Sequence, residues 1–173
     1  MRNTRMIITI FLSIVTCAAV TLMMVSAIAF IQDSWMFSSA PKEAKEVLIP
    51  REKEVFYGAK AFGWVLMTFS ILMILGTLVI AVWDGLRSGF TFWQFFIRFA
   101  IIFTVYKLYD MIFFDYFLLM KFHFFQHYYP EVESVFINPD RKYGFNIKSQ
   151  LVKLVIVFPA ISALAAWICT LLR

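Results

Sequence analysis

Long apolar runs separated by polar stretches are the dominant pattern of this chain. A bilayer core about 30 Å thick needs roughly 20 consecutive apolar residues per helix. Four runs reach that length, and we predict transmembrane helices over residues 6–31, 59–83, 91–121 and 150–172, with polar loops over residues 32–58 and 122–149. The predicted fold is all-α: a single membrane domain, residues 1–173, whose four helices form a bundle of two helical hairpins.

The first apolar run also resembles a secretory signal, because Arg2 and Arg5 precede it and Ala27 and Ala29 imitate a cleavage site. The run over residues 6–31 is longer than the roughly 7–15 residues of a signal core, so we expect a membrane helix. Both termini are then predicted on one side of the bilayer and both long loops on the other. The basic residues are divided between the two sides, and the positive-inside rule leaves the orientation open.

The third apolar segment is too long to be one straight transmembrane helix. A helix from Phe90 to Tyr129 would measure about 60 Å at 1.5 Å per residue. We therefore expect the helix to leave the membrane near Lys121 and the stretch 122–129, rich in aromatics and His, to bend or lie in the interface. In the other parts of the chain, Lys42–Glu46 is predicted as a short surface helix, and Pro159 predicts a kink in the fourth span.

Composition agrees with a lipid environment: 62% of the residues are hydrophobic and 16% are charged, against about 25% charged in soluble domains. The net charge of +5 is spread over loops and helix ends without forming a basic face, which argues against nucleic acid and favours lipid headgroups as partners. Cys17 and Cys169 fall inside apolar runs and are predicted to be packing residues.

Charged residues inside the third span are the first candidate site. A charge near the bilayer centre costs about 2.5–3.5 kcal/mol on insertion scales, so Lys107, Asp110 and Asp115 need partners. On an α-helix Lys107 and Asp110 lie about 60° apart and can pair, and Asp115 would share their face. Tyr106 and Tyr109 lie close enough to add hydroxyls. The site is either a structural ion pair or a functional polar site, whereas Arg98 is expected to extend its side chain to the nearer interface.

The second candidate lies just after the third span. His123, His127 and Glu131 follow at spacings of four, and two imidazoles on one helical turn can bind a metal if the helix persists to Pro130. The zinc-protease motif is not present, so an interfacial belt is favoured and the metal is left unknown. No cofactor and no catalytic residue are predicted.

The stretch from Asp110 through Asp115, His123 and Glu131, followed by Tyr143–Asn146, resembles an uncharacterised group of small bacterial four-helix integral membrane proteins. The resemblance covers the last third of the chain. It implies a multi-pass protein of a bacterial inner or plasma membrane and carries no activity.

Three functions remain open. The favoured one is an interaction or accessory protein that contacts a membrane protein partner or a second copy of itself through its loops. The first alternative is a binding or transport bundle in which Lys107, Asp110 and Asp115 line a cavity for a lipid, a hydrophobic small molecule or a proton path. The second is a membrane-embedded lipid-modifying enzyme that uses Asp110 or Asp115 with His123 or His127.

Overall fold

The computed structural model describes residues 2–33, 36, 42–49, 51, 53–136 and 147–172, and the described part of the chain is helical without β-strands. Its helices are α1 (Arg2–Val25), α2 (Lys42–Val47), α3 (Ala59–Arg87), α4 (Phe92–Tyr109), α5 (Phe124–Tyr128), α6 (Glu133–Phe136), α7 (Ile147–Val152) and α8 (Phe158–Leu171). The all-α fold class predicted from the apolar runs is confirmed.

Three helical segments of the described chain are long and apolar enough to cross a membrane: Arg5–Ile31, Ala59–Arg87 and Lys148–Leu171. They match three of the four predicted spans. The third predicted span, α4 with its continuation, is not among them because Arg98, Lys107 and Asp110 lie within it.

Burial differs sharply among these three segments. Half of the apolar window in Arg5–Ile31 is buried inside the molecule, against 22% in α3 and 17% in Lys148–Leu171. Large apolar side chains are exposed along α3 and α8, among them Val65, Phe69, Leu72, Val79, Leu164, Trp167 and Leu171. Water would solvate such continuous apolar surfaces poorly, whereas lipid chains solvate them well.

The helices are interrupted by three π-helical segments, in which the hydrogen bond reaches one residue further than in an α-helix. They are Ser26–Ile31, which continues α1, Asp110–Lys121, which continues α4, and Lys153–Val157, which joins α7 to α8. The last one ends at Val157, two residues before Pro159. A proline has no N–H, and its ring clashes with the carbonyl four residues earlier, which here belongs to this π-helical segment. The kink predicted at Pro159 stays a prediction.

The chain divides into two compact units. The first comprises residues 1–20, 71–110 and 147–173. Its core includes side chains of α1, α3, α4 and α8 and of the turn between α3 and α4, namely Leu12, Ala81, Phe90, Phe95, Phe99, Ile102, Ala166 and Cys169. Close approach is possible because small residues face the contacts, as at Ser13, Ser162 and Ala166, which are all buried.

The second unit comprises residues 21–70 and 111–146. Its main core joins α2 to the chain that follows Lys121 and consists of Ile28, Ala44, Phe125, Tyr129, Val132 and Phe136. The helix predicted over Lys42–Glu46 is confirmed as α2. The π-helix ends at Lys121, and His123 has a left-handed backbone (φ 50°) before α5 begins. The third helical segment therefore ends where the sequence predicts, and its exit from a membrane at this point stays a prediction.

Candidate functional site

Lys107 and Asp110, one helical turn apart, form the ion pair that their spacing predicts. The Lys107 Nζ lies 2.5 Å from Asp110 Oδ2. The side chain of Lys107 is 7% exposed and that of Asp110 is 24% exposed, so the carboxylate is the end of the pair that faces outwards. Tyr106, one residue before Lys107, packs edge-on against Phe158 at the start of α8.

Asp115 lies on the π-helical segment and is half-buried. The shared face predicted for Asp115 assumed the angular step of an α-helix. From Asp110 onward the turn is wider, so that angle no longer applies. Participation of Asp115 in a polar site with Lys107, and of Tyr109 as a hydroxyl donor, stays a prediction.

Arg98 is buried, and the expectation that it reaches the interface is wrong. Its side chain is 2% exposed, its Nη2 lies 2.7 Å from Asp84 Oδ2, and its Nη1 donates to the Ala81 carbonyl at 2.9 Å. The guanidinium also lies over the Phe90 ring, 4.3 Å from the centroid. The available sequence signal was a pair of opposite charges on the two helices that flank one short turn.

The turn between α3 and α4 is also fixed to α1. Arg5 donates to the Ser88 carbonyl at 3.4 Å, and its guanidinium lies 5.0 Å from the centroid of the Phe90 ring. Phe90 therefore contacts two guanidinium groups, and it is itself almost fully buried. These contacts tie three segments of the first unit together through charge and aromatic surface.

A second polar cluster, in the second unit, joins the two long loops. Arg51 Nη2 lies 2.8 Å from Glu131 Oε2 and donates to the Tyr128 carbonyl at 3.0 Å. The backbone N–H of Ile49 donates to the other carboxylate oxygen of Glu131 at 3.2 Å. The Arg51 guanidinium also lies over the ring of Tyr129, 5.1 Å from the centroid. We call this arrangement, centred on Arg51 and Glu131, the loop clamp.

The clamp covers a small hydrophobic core. Tyr129 is 1% exposed and stacks on Phe125, and burial raises the pKa of its hydroxyl, so the group stays neutral at physiological pH. Gln126 donates to the Leu119 carbonyl at 2.9 Å, which fixes α5 against the end of the π-helix. We call the packed assembly of α2, residues 48, 49 and 51, and residues 124–136 the loop cap.

The two histidines do not lie on a continuous helix, so the premise of the metal prediction is wrong. His123 precedes α5 in the left-handed conformation, and His127 is near the end of α5. Both are exposed. Glu131, the third residue of the predicted site, is held by Arg51. Among the described residues no three His, Cys, Asp or Glu side chains are grouped to hold a metal ion.

Cys17 and Cys169 are buried and not joined in a disulfide, which agrees with their prediction as packing residues. Residues 143–146, on which the resemblance partly rests, and the rest of residues 137–146 in the second predicted loop lie outside the described residues.

No family model, no curated protein and no solved structure matches this chain. The resemblance to small bacterial membrane proteins therefore stays a prediction, and the function has to be argued from the geometry above.

Proposed function

We propose that this chain is an integral membrane protein with four transmembrane helices, and that it acts as an interaction or accessory protein through its loop cap. The observation that carries the proposal is the packing of the described parts of both long loops into one structure with its own core and clamp. The partner is either another membrane protein or a second copy of this chain, in a cell membrane that the resemblance suggests is bacterial.

The difference in length between the short turn that joins α3 to α4 and the two long loops supports a role for the cap. The short turn Ser88–Thr91 is enough to connect α3 to α4, as is usual in helical bundles. Ordering a loop costs about 1–2 kcal/mol per residue in backbone entropy. A cap that only connected helices would lose this conformational entropy without any gain in function. A cap that is already ordered loses less entropy when a partner binds, which favours binding.

The pairing of the charges supports α4 and its π-helical continuation as the fourth transmembrane helix. The two segments together run from Phe92 to Lys121, long enough for a bilayer. Arg98 is neutralised by Asp84, and Lys107 by Asp110. Paired charges that face other helices are the form in which ionisable residues are tolerated within membranes.

The same pairing favours interaction over catalysis. Among the candidates for acid–base, binding or metal chemistry, Lys107, Asp110 and Glu131 each make an ion pair within the chain. An ion pair that stabilises the fold explains the presence of these charged residues without a catalytic role. The lipid-modifying and transport alternatives have no comparable observation in their favour.

The experiment breaks the clamp and then restores it. Arg51→Glu and Glu131→Arg each place like charges opposite each other, and the double variant exchanges the two charges. The protein is extracted with its surrounding lipid into polymer nanodiscs, and co-purifying proteins and oligomeric state are measured by native mass spectrometry. We expect a stoichiometric partner or a second copy with the wild type, its loss in both single variants, and recovery in the double variant.

Arg87→Glu, the same charge reversal as Arg51→Glu at an exposed position outside the loop cap, is the matched control and should retain the complex. A wild type that is recovered as a monomer without a partner would refute the proposal. A complex that survives both single variants would show that the cap is not its binding surface.

A further inference from the structure

A groove lies at the start of α3, outside the polar clusters described above. It is lined by Glu54, Phe56, Tyr57, Gly58 and Ala61 and encloses about 690 Å³. The lining combines two aromatic rings with one carboxylate. All of these residues belong to the second unit.

The groove is held in shape by local contacts. Glu54 Oε2 accepts the backbone N–H of Gly58 at 2.8 Å, and Gly58 has a φ of 84°, which suits glycine because it has no Cβ. Phe56 packs edge-on against Phe30 on the π-helical end of α1. The backbone turn and one of the two rings are therefore anchored before any ligand arrives.

Two of the lining groups remain available to a ligand. Tyr57 is completely exposed. The second carboxylate oxygen of Glu54 makes no hydrogen bond to the described residues, and none of their basic side chains forms an ion pair with it. The nearby cations Arg51 and Lys60 are paired with Glu131 and Asp33 instead.

A carboxylate beside aromatic rings is the chemistry that recognises an organic ammonium group. The faces of aromatic rings attract cations, and aromatic cages bind quaternary ammonium ligands. A carboxylate adds charge attraction and accepts hydrogen bonds from a primary ammonium. Lys53, which precedes Glu54 and is exposed, offers a positive charge suited to a phosphate, so a zwitterion fits this surface better than a simple cation.

We propose that the groove formed by Glu54, Phe56 and Tyr57 binds the ammonium group of a zwitterionic phospholipid headgroup, ethanolamine or choline. The position along the chain specifies a lipid as the source of the ammonium. The apolar segment Ala59–Arg87 begins directly after the groove, so the groove lies at headgroup level when α3 spans the bilayer. The proposal rests on that membrane insertion and is independent of the loop cap as a partner surface.

The test compares three phospholipids with identical acyl chains: phosphatidylethanolamine, phosphatidylcholine and phosphatidylglycerol. Each is titrated into the purified full chain in detergent, and bound lipid is counted by native mass spectrometry. We expect the two ammonium lipids to bind about threefold to tenfold more tightly than phosphatidylglycerol, which has no cation for the rings and the carboxylate. Equal binding of phosphatidylglycerol would overturn the proposal.

Four variants assign the effect to the groove. Glu54→Gln keeps an acceptor for Gly58 but removes the charge, and Tyr57→Ala removes an exposed ring that folding does not need. Both should reduce ethanolamine-lipid binding to the level of phosphatidylglycerol. Tyr57→Phe should keep it, as should Val55→Ala, an exposed neighbour outside the groove lining. Unchanged binding in Glu54→Gln, or equal loss in Val55→Ala, would contradict the proposal.

The source of the ammonium is tested with glycerophosphoethanolamine, the soluble headgroup without acyl chains. The lipid should bind at least about tenfold more tightly, because its chains contact the apolar surface of α3. Equal affinities would show a site for a soluble amine and would refute the assignment to a lipid. If the clamp variants lose the partner complex but keep the preference for ammonium lipids, the lipid groove and the partner surface are independent sites. Failure of one proposal then leaves the other standing.

Discussion

Arg98 shows how a charge can be accommodated in an apolar segment. Its guanidinium has three kinds of partner: the Asp84 carboxylate, the Ala81 carbonyl and the Phe90 ring. A planar group with several donors can serve all of them at once, whereas an ammonium is a compact point charge. Arg98 is therefore a structural residue that connects α4 to the end of α3.

Replacing Arg98 should have a large effect on stability. Arg98→Ala leaves Asp84 unpaired and should lower the free energy of unfolding by about 3–5 kcal/mol. The free energy of unfolding of Arg98→Lys should lie between those of this variant and the wild type. Lysine keeps the positive charge but lacks the planar guanidinium with its several N–H donors. Unfolding in mixed micelles with increasing SDS measures these values.

Arg87→Ala is the control, since Arg87 is exposed and contacts only the Trp83 ring in the described structure. It should cost less than about 1 kcal/mol. An Arg98→Ala variant no less stable than Arg87→Ala would contradict the buried network.

Lys107 and Asp110 differ in burial, so their single replacements should differ in effect. Asp110→Leu leaves the buried Lys107 ammonium without its partner and should be the more damaging change, by up to about 3–5 kcal/mol for a buried pair. Lys107→Met leaves a carboxylate that is partly exposed and should cost less. The double variant should be more stable than Asp110→Leu alone, because it leaves no buried charge without a partner.

The same SDS titration measures this cycle, and Lys153→Met at an exposed position controls for the loss of a lysine. Single variants as stable as the wild type would mean that water already solvates both charges. A stable double variant that keeps the partner complex would establish the pair as structural only.

At the scale of elements, the contact between α3 and α4 depends on a glycine. A Cβ at Gly85 would overlap the ring of Phe95, which is completely buried and stacks on Phe99. Since that ring has little room to move, Gly85→Ala should destabilise the protein by about 1–3 kcal/mol through overpacking.

Gly76 provides the matched control on the same helix. A Cβ there has nothing within 4 Å, so Gly76→Ala should be neutral or stabilising by up to about 1 kcal/mol, as expected for alanine in a helix. Thermal unfolding in detergent compares the two. Equal stability of both variants would show that α3 and α4 are not in close contact at Gly85.

Element boundaries could be predicted where the signal is local. The start of α3 at Ala59, the end of the π-helix at Lys121 and the short helix α2 follow from changes in hydropathy and charge along the chain. The end of α3 was predicted too early, because Asp84 was assigned to the turn. Asp84 is helical, and its charge is satisfied by Arg98 on the next helix.

The non-local features could not be predicted in the same way. The clamp between Arg51 and Glu131 joins residues far apart in sequence, and no spacing rule relates them. The π-helical segments depend on how neighbouring elements pack rather than on local composition, and the one that starts at Asp110 invalidates the face predicted for Asp115. The ion pair of Lys107 could be predicted because its partner lies one turn away.

At the scale of the whole molecule, we propose a membrane protein in which the described parts of the two long loops pack into one cap. Three segments are long and apolar enough to span a bilayer, and the proposal adds α4 with its continuation as the fourth. In that arrangement α3 starts on the side of the cap and ends on the opposite side. The proposed four-helix topology would place the loop around Lys45 and the segment containing Ser134 on one side of the bilayer and Arg87 on the other.

The most direct test of this claim is labelling of single cysteines in intact cells with a membrane-impermeant maleimide. Cys17 and Cys169 are first replaced by alanine, and Lys45→Cys, Ser134→Cys and Arg87→Cys are then introduced one at a time at exposed positions. The account predicts that the cysteines at Lys45 and Ser134 behave alike, whereas the one at Arg87 shows the opposite accessibility. Opposite behaviour of the first two, or identical labelling of all three, would contradict the four-helix arrangement and its single cap.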